Sequence, residues 1–347
     1  MKISKKKPSF KIKHFLKNYL ERYDRRMDLP VKYKDLFSFQ DSFPLYDKHG
    51  ENTLWDSLLY DEYQWEDLQR DLILTYSYLK TEGDLKITKH LKAERVDFCQ
   101  FANSQPFRIK IVNLLNDNHD YMYVKKGDAS RVYGLELEHI LSPNHISYLV
   151  DGDTLIEEHI AGIPGDQFFE HYMDSPNFNK VRFAKEFIKF NERCFIRLLG
   201  DMRAYNWVVE VTPDFEDEQY RIRAIDFDQQ SYEGKKSIYL PQYFKENNPV
   251  IEMGMEFMTW ETTRQYQFEE RTLMARRLNL AQKRLKQLMR CMKKDTISTP
   301  EKIKELAEDL NEFHNSRNFD SCDDMGDILG TNLAIMLRKH IRKLDLK

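Results

Sequence analysis

LLGDMRAYNWVV, residues 198–209, followed by RAIDFDQQ, residues 223–230, is the stretch on which the reading of this chain turns. It closes an apolar helical run, Phe178 to Leu198, in which Phe183, Phe187, Phe190 and Cys194 recur at helical spacing. Asp201 and Asn206 stand five residues apart just after that run. Asp226 then falls inside a short apolar segment that reads as a strand, Ala224-Ile225-Asp226-Phe227. A carboxylate on a surface is ordinary, but one inside an apolar strand is costly unless it is paired. Between the two motifs, the acidic stretch Thr212 to Glu218 reads as an enlarged hairpin tip.

Two carboxylates and an amide on neighbouring pieces of backbone suit one kind of chemistry. Phosphoryl transfer asks a protein for positioning and charge neutralisation more than for covalent work. Magnesium takes hard oxygen ligands in near-octahedral geometry and keeps several waters. Asn206 and Asp226 offer two such oxygens, and Asp201 offers a base for the proton of an attacking hydroxyl. Arg203, two residues after Asp201, brings a cation that offsets charge on a transferring phosphoryl group.

These motifs resemble the catalytic and metal-binding loops of the protein-kinase-like superfamily, in the style of its aminoglycoside/choline phosphotransferase branch. The pattern there is H-G-D-x-x-x-x-N followed by I-D-F/W-D or I-D-F-G. Gly200-Asp201 matches the first step, Asn206 the asparagine, and Ile225-Asp226-Phe227-Asp228 the second motif. Leu199 stands where the branch has histidine, and the twenty-residue gap from Asn206 to Asp226 is longer than usual. The resemblance implies an α+β, bilobal kinase-like fold with ATP and Mg2+ as cofactors. A small antiparallel-sheet lobe would span residues 93–160, and a mainly helical lobe 161–347. Asp228 would take either a second metal role or a structural one, as a helix cap or a structural bond.

The resemblance also asks for a lysine that grips the phosphates and a glutamate that holds it. Three alternating segments, Val96–Phe101, Phe107–Val112 and Tyr121–Lys126, read as antiparallel strands joined by turn clusters. Lys125 ends the third, on the face of Tyr123, whose ring is placed to stack on a purine; Lys126 on the opposite face is the runner-up. Residues 129–141 read as a helix stopped by Pro143. Glu136 or Glu138 of this helix would pair with the lysine. Ile140 one turn on favours Glu136, whereas distance from the lysine favours Glu138. Residues 155–162 resemble the hinge, where backbone groups from Glu158 to Ile160 would meet the adenine edge. No glycine-rich loop is present; Ser104, in the turn cluster Ala102 to Pro106, stands in its place.

Residues 1–92 read as a mostly helical extension. Phe10 to Arg22 is one helix, and Trp65 to Lys80, with Gly83 as its stop, is another. Leu36 to Trp55 between them reads as irregular and aromatic-rich. Beyond the central motifs, helices are expected over Trp260 to Lys294, from Pro300 onward, and over Met325 to Leu346. With 347 residues the chain can bury about three quarters of its unfolded surface. A net charge of −3 implies no bulk attraction to nucleic acid. The basic arm, with Lys2, Lys5, Lys6, Lys7, Lys11 and Lys13, reads as a solvated terminus. The cysteines, Cys99, Cys194, Cys291 and Cys322, are scattered without metal spacing, so reduced thiols and a cytoplasmic setting are expected. No membrane span is expected. The expected acceptor is a small molecule bearing a hydroxyl.

Overall fold

The protein has an α+β structure: two antiparallel sheets and ten α-helices among the described residues. This computed structural model describes residues 7–47, 49–81, 86–215 and 217–340. The expectations for Lys2, Lys5 and Lys6, for the Gly83 stop, for Glu216 and for the last residues of the final helix lie outside these. The chain divides into two compact units. One runs to Ala129 and adds Ile146–His159; the other takes Ser130–His145 and continues from Ile160. No helix among the described residues is long and apolar enough to cross a membrane.

The first unit contains α1 (His14–Arg22), β1 (Asp41–Tyr46), β2 (Asn52–Leu59), α2 (Glu62–Thr81), β3 (Leu91–Phe98), β4 (Phe107–Asn113), β5 (His119–Lys126), β6 (Tyr148–Asp151) and β7 (Thr154–Glu158). Its strands form one sheet in the order β1-β2-β3-β4-β5-β7-β6, with every pair antiparallel. Strand residues alternate between faces, and this sorts the sheet. Phe107, Ile109 and Ile111 of β4 and Met122 and Val124 of β5 are buried in one cluster with Leu72 and Leu79 of α2. Burying each such side chain contributes about 1.5–3 kcal/mol. The alternate positions, Arg108 opposite Tyr123 and then Lys125, take the other face.

One expectation for this unit is corrected. Leu36 to Trp55 is not irregular: it contributes β1 and the first half of β2, which pair from Asp41↔Leu59 to Tyr46↔Asn52. β1 is exposed along nearly its whole length, so it carries no apolar alternation to read. Leu36, Leu58 and Leu72 share one core with Val96 and Phe107, because the apolar face of the sheet needs a cover that α2 supplies.

The second unit contains most of α3 (Ala129–Leu141), then β8 (Ile163–Pro164), α4 (Gly165–His171), α5 (Lys180–Arg197), β9 (Trp207–Asp214) and β10 (Asp217–Ala224). It ends with α6 (Asn248–Phe257), α7 (Trp260–Leu280), α8 (Gln282–Lys293), α9 (Pro300–His314) and α10 (Met325–Leu337). α5 begins at Asn179, whose side chain accepts from the Arg182 N–H, and it buries Phe183, Phe187, Phe190 and Cys194 as its spacing required. Phe183 stacks on Phe168 of α4 with ring centroids 4.7 Å apart, and Phe187 and Phe190 approach Trp207 at the start of β9. The expected helix from Trp260 to Lys294 is interrupted at Ala281, whose φ of −109° and ψ of 21° end α7 without glycine or proline. Asp226 is not inside a strand: β10 stops at Ala224, paired with Trp207.

Candidate active site

Within the second unit, the loop after α5 is held in an unusual backbone conformation. Leu198 caps α5 at φ 53°, and the Leu199 N–H returns to the Cys194 carbonyl at 2.9 Å. Asp201 also has positive φ, 59°, and its N–H donates to the Ile238 carbonyl at 3.0 Å. Gly200 lies between them. A Cβ there would come within 3.0 Å of the Gln229 carbonyl and of Ile238 Cγ2, so the approach of the two loops needs glycine. Left-handed backbone at non-glycine residues costs energy and persists where the surroundings impose it, commonly at functional sites.

The Asp201 carboxylate is nearly buried and accepts a hydrogen bond from Arg203 Nε at 2.8 Å. Arg203 also donates to Glu246 Oε1 at 2.7 Å and lies 4.9 Å from the centroid of the Phe244 ring. Burial lifts the Asp201 carboxyl above its ordinary range; the Arg203 guanidinium opposes that, and the charges of Glu246 and Glu233 add to it. Asn206 Nδ2 donates to the Asp201 carbonyl at 2.7 Å, which fixes the amide and commits its nitrogen end.

Asp226 reaches the same place from the other hairpin end. The Ile225 N–H donates to the Asn206 carbonyl at 3.0 Å, one residue before Asp226. Burial raises the Tyr205 phenol, the Arg203 charge opposes that, and the charges of Asp201, Glu246 and Asp226 add to it. Asp226 Oδ1 accepts from Arg131 Nη1 and from the Asp228 N–H, both at 2.9 Å. The same Arg131 nitrogen donates to Asp228 Oδ1 at 2.9 Å, while Nη2 donates to the Ile225 carbonyl at 3.1 Å. Arg131 is almost fully buried. Gly134, one turn along α3, lets the helix come this close: a Cβ there would lie 2.9 Å from Phe227 Cβ.

A single divalent cation fits this donor set in part. Asn206 Oδ1 and the Asp226 carboxylate, whose side chain is 31% exposed, are hard oxygens of the kind magnesium takes, with water and phosphate completing the shell. Among the described residues no three His, Cys, Asp or Glu side chains form a metal-holding group, so an all-protein cage is not what these residues build. Of the two roles open to Asp228, the geometry supports the structural bond: its carboxylate is buried against Arg131.

The remaining expected residues belong to the first unit or to α3, and several expectations change. Lys125 is buried, donates to Glu157 Oε2 at 2.8 Å and lies 5.1 Å from the Tyr123 ring centroid. Its partner is thus on β7, where Glu157 stands opposite Tyr123. The expected helix glutamates are both engaged by arginines of the second unit. Glu136 accepts a fork of hydrogen bonds from Arg284 at 2.8–3.0 Å, and Glu138 pairs with Arg197. A fully buried carboxylate needs a fixed cation, and a guanidinium satisfies it bidentately. Lys126 is exposed, and its N–H donates to the Ser104 carbonyl at 3.4 Å. Ser104 lies in a turn closed by the Gln105 N–H and the Ala102 carbonyl at 3.1 Å. At the expected hinge, the Glu158 N–H donates to Ser147 and the His159 N–H to Tyr121, so those two donors are already used. The Glu158 carboxylate accepts from the Ser147 N–H and from Lys80, which ties β7 to α2. Ile160 is buried and belongs to the second unit.

Arg131 and Glu246 are the site residues that sequence reasoning missed. One signal for Arg131 was legible: a cation in the first turn of a helix opposes the helix dipole, so it needs carboxylates from elsewhere. Glu246 gave none, because it is brought to Arg203 by a loop forty-three positions away. No protein-family model matches the chain, and no curated protein matches it.

Proposed function

We propose that this protein is an ATP- and magnesium-dependent phosphotransferase of the kinase-like type, acting on a hydroxyl of a small molecule. One observation carries the reading: Asp201, Asn206 and Asp226 are drawn together by hydrogen bonds between two loops of one unit, around a strained Asp201 backbone. In this reading the Asp201 carboxylate accepts the proton of the acceptor hydroxyl, and Asn206 and Asp226 hold the cation. Bound magnesium supplies charge neutralisation at the phosphates. Arg203 orients Asp201 and offsets its charge.

A second reading, a nucleotide-binding scaffold without transfer chemistry, draws support from the internal pairing of the charged groups: Arg203 with Asp201 and Glu246, Arg131 with Asp226 and Asp228. Thermal shift with ATP and Mg2+, followed by turnover with sugars, amino alcohols and peptides, separates the two. The first reading expects a product heavier by one phosphoryl group. A shift without turnover favours the scaffold; a product carrying a nucleotidyl group points to that transfer instead. No shift under any condition removes both.

A further inference from the structure

Arg131 is a cation supplied by the protein at the point where two site carboxylates meet. One nitrogen, Nη1, lies 2.9 Å from Asp226 Oδ1 and 2.9 Å from Asp228 Oδ1. Its second nitrogen is tied to the Ile225 carbonyl, and its guanidinium lies 6.0 Å from the Phe227 ring centroid. α3 is held there from both sides. Ser130 Oγ donates to the carbonyls of Asp228 and Gln230, and Gly134 packs directly on Phe227. The whole IDFD segment is thus wrapped on the first turns of one helix, with a fixed positive charge between its two acids.

Two carboxylates two residues apart in a nucleotide site are, chemically, an invitation to a second divalent ion. A guanidinium between them changes that. It cannot be deprotonated at working pH, and it fills the bridging position with a charge that needs no uptake from solution. Asp228, buried to 6% exposure, has no route to a hydrated ion without breaking this pair. Asp226, by contrast, keeps 31% of its side chain exposed.

We propose that this site operates with one divalent cation, at Asp226 and Asn206, and that Arg131 takes the place of a second by bridging Asp226 and Asp228. The inference rests on the nucleotide-site reading above. Arg131 is a positioning residue: it sets the orientation of Asp226 and the charge that the nucleotide meets.

The test is metal stoichiometry, measured by electron paramagnetic resonance of Mn2+ titrated into the full chain with a non-hydrolysable ATP analogue. One tightly bound Mn2+ per chain is expected for the native protein and for Arg131→Lys. Arg131→Met leaves the two acids without their shared cation. It should bind a second Mn2+ and gain several degrees more in thermal midpoint on adding Mn2+ than the native protein does. A role confined to packing would lower the midpoint without that metal rescue. Two Mn2+ on the native protein, with nucleotide bound, overturn the inference and leave the functional reading standing. Neither nucleotide nor Mn2+ binding removes both. Should Arg131→Met fail to fold, the native stoichiometry alone still decides.

Discussion

Asp201 sits where two opposing influences set its proton affinity. Burial raises it, and the Arg203 hydrogen bond lowers it. If Asp201 is the base, Asp201→Asn should cut turnover at least about a hundredfold, the usual scale for a general base, with ATP binding retained. Loss of ATP binding in step with turnover would assign it a different role. The sign of the pH dependence follows from the same two influences. A base works deprotonated, so the rate should fall as pH drops through the raised Asp201 value, and this acidic limb should lie above the ordinary aspartate position near about 3.9. Arg203→Met removes the group that opposes the rise, so the limb should move to higher pH. A limb that stays in place, or moves down, would show that another group governs it. The residues carrying this argument were legible because Gly200-Asp201 and Asn206 are local in sequence. Glu246 was not, and the helix-dipole signal at Arg131 did not name its carboxylates, because the partners of both are brought in by tertiary folding.

Elements whose buried face repeats at a fixed period were read closely. α3 matches its expected span of 129–141, and α5, expected from Phe178, runs Lys180–Arg197. β4 and β5 fall within two residues of the expected segments. Where burial does not alternate, the reading failed. β1 is exposed at all but one position, and β6 is a short buried run with no period. The break at Ala281 separates two helices whose sequences are both helix-forming, so composition does not reveal it. Close packing makes a sharper test of an element's role than its boundaries do. At Gly134 a Cβ would meet Phe227 Cβ at 2.9 Å and Gln230 Cβ at 3.2 Å, contacts that require α3 to move off the IDFD segment. Gly134→Val should therefore destabilise the fold by about 1–3 kcal/mol, the scale of overpacking, and loosen nucleotide binding beyond what lost stability explains. Urea unfolding and ATP titration measure the two effects. A variant as stable as the native chain, with unchanged affinity, would mean that this contact does not position Arg131.

At the scale of the folded unit, helices α3, α5, α7 and α8 are joined by buried ion pairs as well as by apolar packing. Glu136 of α3 meets Arg284 of α8, Glu138 meets Arg197 of α5, and Arg271 of α7 meets Glu192 of α5. Such pairs roughly break even against apolar replacements, yet breaking one partner leaves an uncompensated charge. Glu136 and Glu138 were expected to serve the lysine, and each meets an arginine of its own unit. A glutamate on an apolar helix face announces that it needs a cation, but its sequence does not say which. The Arg284 fork is the clearest case, since Glu136 is fully buried and Arg284 reaches it with two nitrogens. Arg284→Met should cost about 3–5 kcal/mol in urea unfolding. Glu136→Leu combined with Arg284→Leu, which removes both charges, should recover most of that loss. The double-mutant cycle is the measurement, because it isolates the pair from the packing of each side chain. A single variant within about 0.5 kcal/mol of the native chain, the range of ordinary surface substitutions, would show Glu136 to be solvated or neutral.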